Sequence, residues 1–218
     1  ELVVARHSED LAWLRRVPRA FTVTVYDKGA NLPHALTLPN LGREAHTYLH
    51  HLAERHNNLA DLTVFVQGHP FDHAPDLHKI LCNLAEGSFT VPDFHWLGFL
   101  ADTDDPRGRR LFVPWSKNPD RHELPLDEFH QQLFGSPGPE AYRFFVGAQF
   151  IVTRGTAQRR DLAFYQGARA LSVSSPLTPH CFERCWDRIF QTDGTAARVP
   201  PNQLTTYLKP IKRLKIPR

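Results

Sequence analysis

The stretch that decides the fold runs from residue 62 to residue 73 and reads LTVFVQGHPFDH. Residues 62–66 are apolar apart from Thr63, which is the composition expected of a central strand covered on both faces. The polar segment that follows carries the chain out of the sheet, and a helix is predicted over about 75–84. Because strands buried on both faces belong to sheets flanked by helices, this stretch predicts an α/β protein.

The segments on either side repeat the alternation of strand and helix. Further strands are predicted over 1–6 (ELVVAR), 21–26 (FTVTVY) and 144–152 (FFVGAQFIV). Further helices are predicted over about 43–55, 155–171 and 179–190. The sequence therefore predicts a three-layer α/β/α sandwich with a mostly parallel central sheet.

Two stretches differ from this pattern. Residues 102–140 are charged and rich in Pro and Gly, which predicts an irregular insertion or lid over the sheet. After Asp193 the chain has no acidic residue but six basic ones, so we expect one α/β domain over 1–193 and a basic C-terminal tail over 194–218. The tail has no interleaved aromatic or glycine residues, so a solvated arm is favoured over a surface for nucleic acid or an anionic membrane.

The composition limits the class of protein. With 218 residues, 41% hydrophobic and 22% charged, the chain resembles ordinary globular domains, and no apolar run is long enough to span a membrane. Three cysteines make a disulfide scaffold unexpected, and reduced thiols favour a cytoplasmic location. The lack of methionine, even at position 1, indicates that an initiator residue or leader has been removed or lies outside this sequence.

Polar residues follow each predicted strand, and ligands of open α/β sheets bind at the carboxyl ends of the strands. The candidates after the first three strands are Arg6, His7, Glu9, Asp27, Lys28 and Gln67. The helix that opens near Arg43 adds free backbone N–H groups and a guanidinium, a combination suited to phosphate. These residues together predict a binding site for a phosphate-bearing ligand.

The loop HPFDH supplies possible metal ligands. Asp72 and His73, with His69 nearby, offer the oxygen and imidazole donors that divalent ions take. The alternative is a turn in which Asp72 caps the helix beginning at about residue 75. Later in the chain, His180 and Glu183 are polar exceptions on an otherwise apolar helical stretch, and we expect them to point into the same cleft.

Several motifs, taken in order, resemble an uncharacterised family of bacterial and fungal proteins. They are ELVVARHSEDLAWL, VYDKG, NLGREAHTYLHHL, TVFVQGHPFDH, VGAQFIVTR and PHCFERCWDRIF. That family is similar to the nucleotide-sugar glycosyltransferases of the GT-A type. The resemblance covers residues 1 to about 190 and implies a GT-A-like catalytic domain.

The resemblance implies roles for particular residues. Ala5, Arg6, His7 and Glu9 would hold the nucleotide base and ribose, and Lys28 and Arg43 would face the diphosphate. Gln67 to His73 occupy the place of the Asp-x-Asp metal motif, with Asp72 as the single carboxylate. A divalent ion (Mn²⁺ or Mg²⁺) would be held by Asp72, His73, His69 and His180, with Asp72 also catalytic. Glu183 would act as general base for an acceptor hydroxyl, or position it. Trp96 and Trp115, with the insertion over 102–140, would form the acceptor-binding wall, although core positions are favoured for both tryptophans.

Two other functions remain open from the sequence. One is a metal-dependent hydrolase or tailoring enzyme that uses the histidines of the cleft as ligands. The other is a non-catalytic binding module that keeps the sheet but lacks the metal-binding acids. The glycosyltransferase-like enzyme, with a nucleotide sugar and an unknown acceptor as its partners, is the leading expectation.

Overall fold

The computed structural model describes residues 1–98, 107–111 and 122–193. Within these ranges six strands form one sheet in the order β3-β2-β1-β4-β6-β5. The strands are β1 (Leu2–Arg6), β2 (Val23–Asp27), β3 (Leu36–Thr37), β4 (Leu62–Gln67), β5 (Phe94–Trp96) and β6 (Phe150–Thr153).

Helices pack against both faces of this sheet. The α-helices of the described ranges are α1 (Arg43–Glu54), α2 (Leu77–Ala85), α3 (Leu126–Phe134), α4 (Arg154–Ala157), α5 (Leu162–Leu171), α6 (Thr178–Glu183) and α7 (Trp186–Ile189). The α/β class predicted from the sequence is therefore confirmed. In this part of the chain, no helix has the length and apolar character needed to cross a bilayer.

The sheet is mixed, so the prediction of a mostly parallel sheet is wrong. β1 is parallel to β2 and β4, and β2 is parallel to β3, but β6 is antiparallel to both β4 and β5. The physical reason is the connection between β5 and β6. Because β5 ends and β6 begins at the same end of the sheet, the two strands run in opposite directions. A strand that re-enters where the previous one left must run back against its neighbours.

The strand predicted over 144–152 is shorter and later than expected. β6 begins at Phe150, and the residues before it form a loop in which Gly147 has φ +96° and Ala148 has φ +50°. These left-handed conformations cannot continue a strand. The apolar residues of that loop, Phe144 and Phe145, are nevertheless buried, which explains why the segment resembles a strand.

Part of the predicted insertion belongs to the core. α3 lies inside it and buries Leu126 and Phe129 in the larger apolar cluster. Its C-cap is Gly135, with φ +72°. This differs from the irregular lid predicted over 102–140, because the many Pro and Gly residues obscure the helical spacing of 126 and 129. Residues 99–106 and 112–121, which include Trp115, and the basic tail over 194–218 lie outside the described residues.

The core lies on both faces of the sheet because side chains alternate along each strand. One face carries Val3, Phe65 and Phe150 and packs against α1 and α5 to α7. The other face, with Val4, Val64 and Ile151 among its residues, packs mainly against α2. Trp96 is fully buried in the first cluster, in agreement with the core position favoured for it over an acceptor wall.

Phe150 is the centre of the aromatic packing on the larger face. Its ring centroid lies 4.8 Å from that of Trp186 and 5.1 Å from that of Phe65, and its side chain is fully buried. We expect Phe150→Ala to lower the free energy of unfolding by about 3–5 kcal/mol, because it removes a buried ring and leaves a cavity.

Urea unfolding followed by fluorescence measures this loss. Leu36→Ala is the matched control, since Leu36 is 49% exposed and its truncation should cost less than about 0.5 kcal/mol. Equal losses in the two variants would contradict the assigned position of β6 in the core.

Candidate functional site

The candidate site lies at the carboxyl ends of β1, β2 and β4. The chain moves from β1 to β2 on one side of the sheet and later returns from β3 through α1 to β4 on the other side. The strand order therefore reverses between β1 and β4, and a crevice at such a reversal is where α/β sheets bind ligands.

Arg6 and Asp27 join the ends of β1 and β2. The guanidinium Nη1 of Arg6 donates to Asp27 Oδ1 at 2.8 Å and to Asn31 Oδ1 at 2.5 Å, and Nε donates to the carbonyl of Glu9 at 2.9 Å. The Asp27 carboxylate is buried and also accepts backbone N–H groups of Gly29, Asn31 and Leu32 at 2.8–3.1 Å. Arg6, predicted to bind the nucleotide, thus makes these hydrogen bonds within the protein.

The surroundings of Asp27 set its ionisation. Burial acts to raise the pKa of Asp27, but the three backbone N–H groups and Arg6 outweigh it, so that the pKa is lowered. The carboxylate therefore stabilises the fold fully above its unfolded pKa, and this contribution is lost as the pH falls through the lowered folded value.

Glu9 and Trp13 connect the loop after β1 to the loop after β4. Glu9 Oε2 accepts the backbone N–H of His7 at 2.7 Å and that of Ser8 at 3.0 Å, and the carboxylate packs against Gly68 so closely that a Cβ there would lie 2.6 Å from Oε2. Trp13 Nε1 donates to the Gly68 carbonyl at 2.9 Å. These contacts fix the two loops on either side of the reversal point.

Lys28 anchors the beginning of α1 to the end of β2. Its buried ammonium donates to the carbonyls of Leu41 and Arg43, the latter at 2.5 Å. Burial lowers the pKa of Lys28 to about 8, although the charge of Glu44 acts in the opposite direction. The Arg43 side chain, predicted to face a diphosphate, is 58% exposed and therefore accessible to a ligand.

Glu44 is a further candidate for the functional site, and the sequence does not predict it. It lies in the first turn of α1, next to Arg43, and its side chain is only 12% exposed. Burial raises the pKa of Glu44, and the negative charge of Glu183 raises it further, while Arg43 and Lys28 act to lower it. The two carboxyl groups are thus close enough to influence each other.

Glu183 ends α6 and faces the same edge of the sheet. Its Oε1 accepts the backbone N–H of Gly147 at 2.6 Å, and its Oε2 accepts Arg184 Nη1 at 2.6 Å. Burial opposes ionisation of Glu183, but Arg184, the Gly147 N–H and the nearby His180 and His73 outweigh it and lower its pKa. The side chain is 17% exposed, which leaves it partly accessible to solvent.

The loop after β4 is held by Gln149, the residue that immediately precedes β6. Gln149 is fully buried, accepts the Gln67 N–H at 3.3 Å and donates to the Pro70 carbonyl at 3.0 Å. Beyond this clamp, the ring of His73 packs on Gly147, where a Cβ would lie 2.5 Å from the ring. Gln149 is therefore a positioning residue. Its role depends on the antiparallel direction of β6, which the sequence does not predict.

The predicted metal ligands are not gathered into one set. His73 and His180 lie near Glu183, whereas Asp72 and His69 are exposed on a 3-10 turn and the adjoining loop. Over residues 1–98, 107–111 and 122–193, no group of three or more His, Cys, Asp or Glu side chains is arranged to hold a metal ion. The alternative role of Asp72 as a helix cap is not observed either, because α2 has Asp76 at its N-cap.

The structure therefore gathers some of the sequence-predicted residues and separates others. Lys28, Glu183, His73 and His180 are linked by electrostatic interactions that also include the unpredicted Glu44. The crevice expected beside them, at the reversal point of the sheet, is called the cleft. Of the predicted nucleotide-binding residues, Ala5 is buried in the apolar core, His7 is exposed, and Gln67 ends β4 beside Gln149. The signal for Glu44 is its position in a first helical turn that follows a Gly, one residue after Arg43.

Residues 2–207 match the family described as "Protein of unknown function (DUF3431)". The chain belongs to this family. The match spans nearly the whole sequence and so confirms the predicted membership of an uncharacterised family. No curated protein and no solved structure shows significant similarity to the chain.

The buried pair of Arg6 and Asp27 gives a test of the site's framework. We expect Asp27→Asn to lower the free energy of unfolding at pH 7 by about 3–5 kcal/mol, because it leaves the Arg6 guanidinium without its buried counter-charge. At pH values below the lowered folded pKa of Asp27, the difference from the wild type should shrink, because the wild-type carboxyl is then also neutral.

Asp61→Asn is the matched control, measured by urea unfolding across the same pH range. Asp61 contacts Arg154 at the same distance of 2.8 Å, but its side chain is 95% exposed, and such pairs contribute at most about 1 kcal/mol. A loss at Asp27 no larger than that at Asp61 would show that the loop does not depend on this carboxylate.

Proposed function

We propose that the chain is a glycosyltransferase-like enzyme that transfers a sugar from a nucleotide-diphosphate donor to an acceptor hydroxyl, on a three-layer GT-A-like sandwich. The observation that carries the proposal is the grouping of one buried amine, Lys28, with two carboxyl groups, Glu44 and Glu183, beside the reversal point of the sheet. The pKa values of the two carboxyl groups are moved in opposite directions, which is typical of acid–base sites.

The donor would occupy the crevice between the ends of β1 and β4. Its base and ribose would lie along the backbone of residues 5–9 and Gln67, where Arg6 and Glu9 hold the loop in place through their own hydrogen bonds. The exposed guanidinium of Arg43 would bind the diphosphate, and Lys28 would add a second positive charge from beneath the beginning of α1. Arginine and lysine together suit the leaving diphosphate because they neutralise its charge.

The acceptor would enter from the side of α6, where Glu183, His73 and His180 lie. In the transfer, the acceptor oxygen forms a bond to the anomeric carbon of the sugar while the bond from that carbon to the diphosphate oxygen breaks. The electron pair of the broken bond leaves with the nucleoside diphosphate, and the hydroxyl proton passes to a carboxylate of the site. The products are the glycoside, the nucleoside diphosphate and one proton.

A divalent ion remains a prediction of the sequence resemblance. Asp72, His69, His73 and His180 do not form a ligand set in the described residues, so they do not fit a protein-bound ion, and no step above depends on one. For the same reason, a metal-dependent hydrolase that uses these histidines receives no support from the geometry. A non-catalytic binding module would bind the nucleotide sugar without converting it, so a measurement of turnover distinguishes it from the enzyme.

Nucleotide binding is the first measurable consequence. We expect UDP or GDP, or one of their sugars, to raise the melting temperature by roughly 5–10 °C at about 100 times its dissociation constant, because binding at that excess contributes about 2.7 kcal/mol. Differential scanning fluorimetry with and without Mn²⁺ or Mg²⁺ measures the shift and shows whether the ion contributes.

Two variants make the measurement specific. Arg43→Met should reduce the shift, because it removes the exposed guanidinium, whereas Glu86→Gln, an exposed position at the end of α2, should leave it unchanged. A well-folded wild-type protein that none of these nucleotides stabilises would refute the proposed function. Binding without release of nucleoside diphosphate would instead indicate the non-catalytic module.

A further inference from the structure

The carboxyl groups of Glu183 and Glu44 differ in how many hydrogen bonds their oxygens accept. Both oxygens of Glu183 accept hydrogen bonds of 2.6 Å, one from the Gly147 N–H and one from Arg184 Nη1. The Gly147 bond joins α6 to the loop before β6, and the guanidinium of Arg184 is itself fixed on the carbonyls of Gly108 and His180. Glu183 is therefore tied to the framework on two sides.

Glu44 is held much less tightly. Its carboxylate accepts its own backbone N–H. Among the described side chains its ion-pair partner is Arg43, whose Nε lies 3.6 Å from Oε2, beyond hydrogen-bond range. The other groups that face it are Lys28 from the end of β2, Glu183 from α6 and Tyr48 one turn further along α1. Lys28 is occupied by the carbonyls of Leu41 and Arg43, so it is not committed to the Glu44 carboxylate.

We propose that Glu44, and not Glu183, is the general base that takes the proton from the acceptor hydroxyl; this inference rests on the proposed function. The acceptor O–H bond breaks, its proton binds a Glu44 oxygen, and the acceptor oxygen bonds to the anomeric carbon as the diphosphate leaves with its electron pair. The proton then passes from Glu44 to water, so the site returns to its starting state. Glu183 is a positioning residue that holds Gly147 and Arg184 beside the acceptor.

The chemistry of general bases supports this division of roles. A base needs a free lone pair within reach of the proton, and it works best when its pKa lies near the working pH. Glu44 meets both requirements better, because the one hydrogen bond recorded to its carboxylate comes from its own backbone N–H, which leaves lone pairs available, and because its pKa is raised. Glu183 meets them less well, because each of its oxygens already accepts a hydrogen bond of 2.6 Å that fixes it in place, and because its pKa is lowered.

Steady-state kinetics on the full chain test the assignment with Glu44→Gln, Glu183→Gln and the exposed control Glu86→Gln. We expect Glu44→Gln to reduce kcat by about 10²–10⁴-fold while the nucleotide-induced melting shift is retained. Glu183→Gln should chiefly raise the acceptor KM and leave measurable kcat, and Glu86→Gln should behave as the wild type. Full kcat in Glu44→Gln with its loss in Glu183→Gln would overturn the assignment.

The pH profile gives a readout that a purely structural role would not produce. In the wild type, kcat/KM should fall on the acidic side with an apparent pKa above the ordinary 4.5 of glutamate. In Glu183→Gln this midpoint should move to lower pH, because the negative charge that raises the pKa of Glu44 has been removed. An unchanged midpoint would overturn the inference, whereas the absence of any turnover in the wild type would instead refute the proposed function.

Discussion

The Asp27 carboxylate is the interaction on which the rest of the site depends. It is buried at the end of β2, where it gathers three backbone N–H groups and the Arg6 guanidinium into one network. That network fixes the turn next to Lys28, and Lys28 in turn fixes the carbonyls at the beginning of α1. Since Glu44 lies in the first turn of α1, its position follows from a chain of contacts that begins at Asp27.

The reversed strand β6 supplies the other half of the site. Because β6 begins at the edge where β1, β2 and β4 end, its approach segment brings Gly147 and Gln149 to the same place. Gly147 carries a left-handed φ of +96° and has no Cβ, which lets the His73 ring lie against it while its N–H points to Glu183. A mostly parallel sheet would place this segment at the opposite edge, and the cleft would lack its second wall.

The sequence predicts the parts of this structure that depend on local pattern. The apolar run over 62–66 correctly identifies β4, because a strand buried on both faces is apolar at nearly every position. The spacing of apolar residues over 43–55 correctly identifies α1, because a helix buried on one face has apolar residues every three or four positions. The direction of β6 depends on where its connection re-enters the sheet, which no local pattern records. Gln149 and Glu44 were missed for the same reason, since their roles arise from neighbours far away in the sequence.

The charges of the cleft also determine how donor binding would change the basicity of Glu44 in the proposed reaction. In the free protein, the two carboxyl groups of Glu44 and Glu183 lie near the positive charges of Lys28 and Arg43. A donor would add the negative charge of its diphosphate to this group. A bound diphosphate would raise the pKa of Glu44 further, since a like charge disfavours ionisation. Donor binding would thus make Glu44 a stronger base at the moment when the acceptor hydroxyl must lose its proton. Glu183, whose charge is balanced by Arg184 and the Gly147 N–H, would keep its ionised form through the same step.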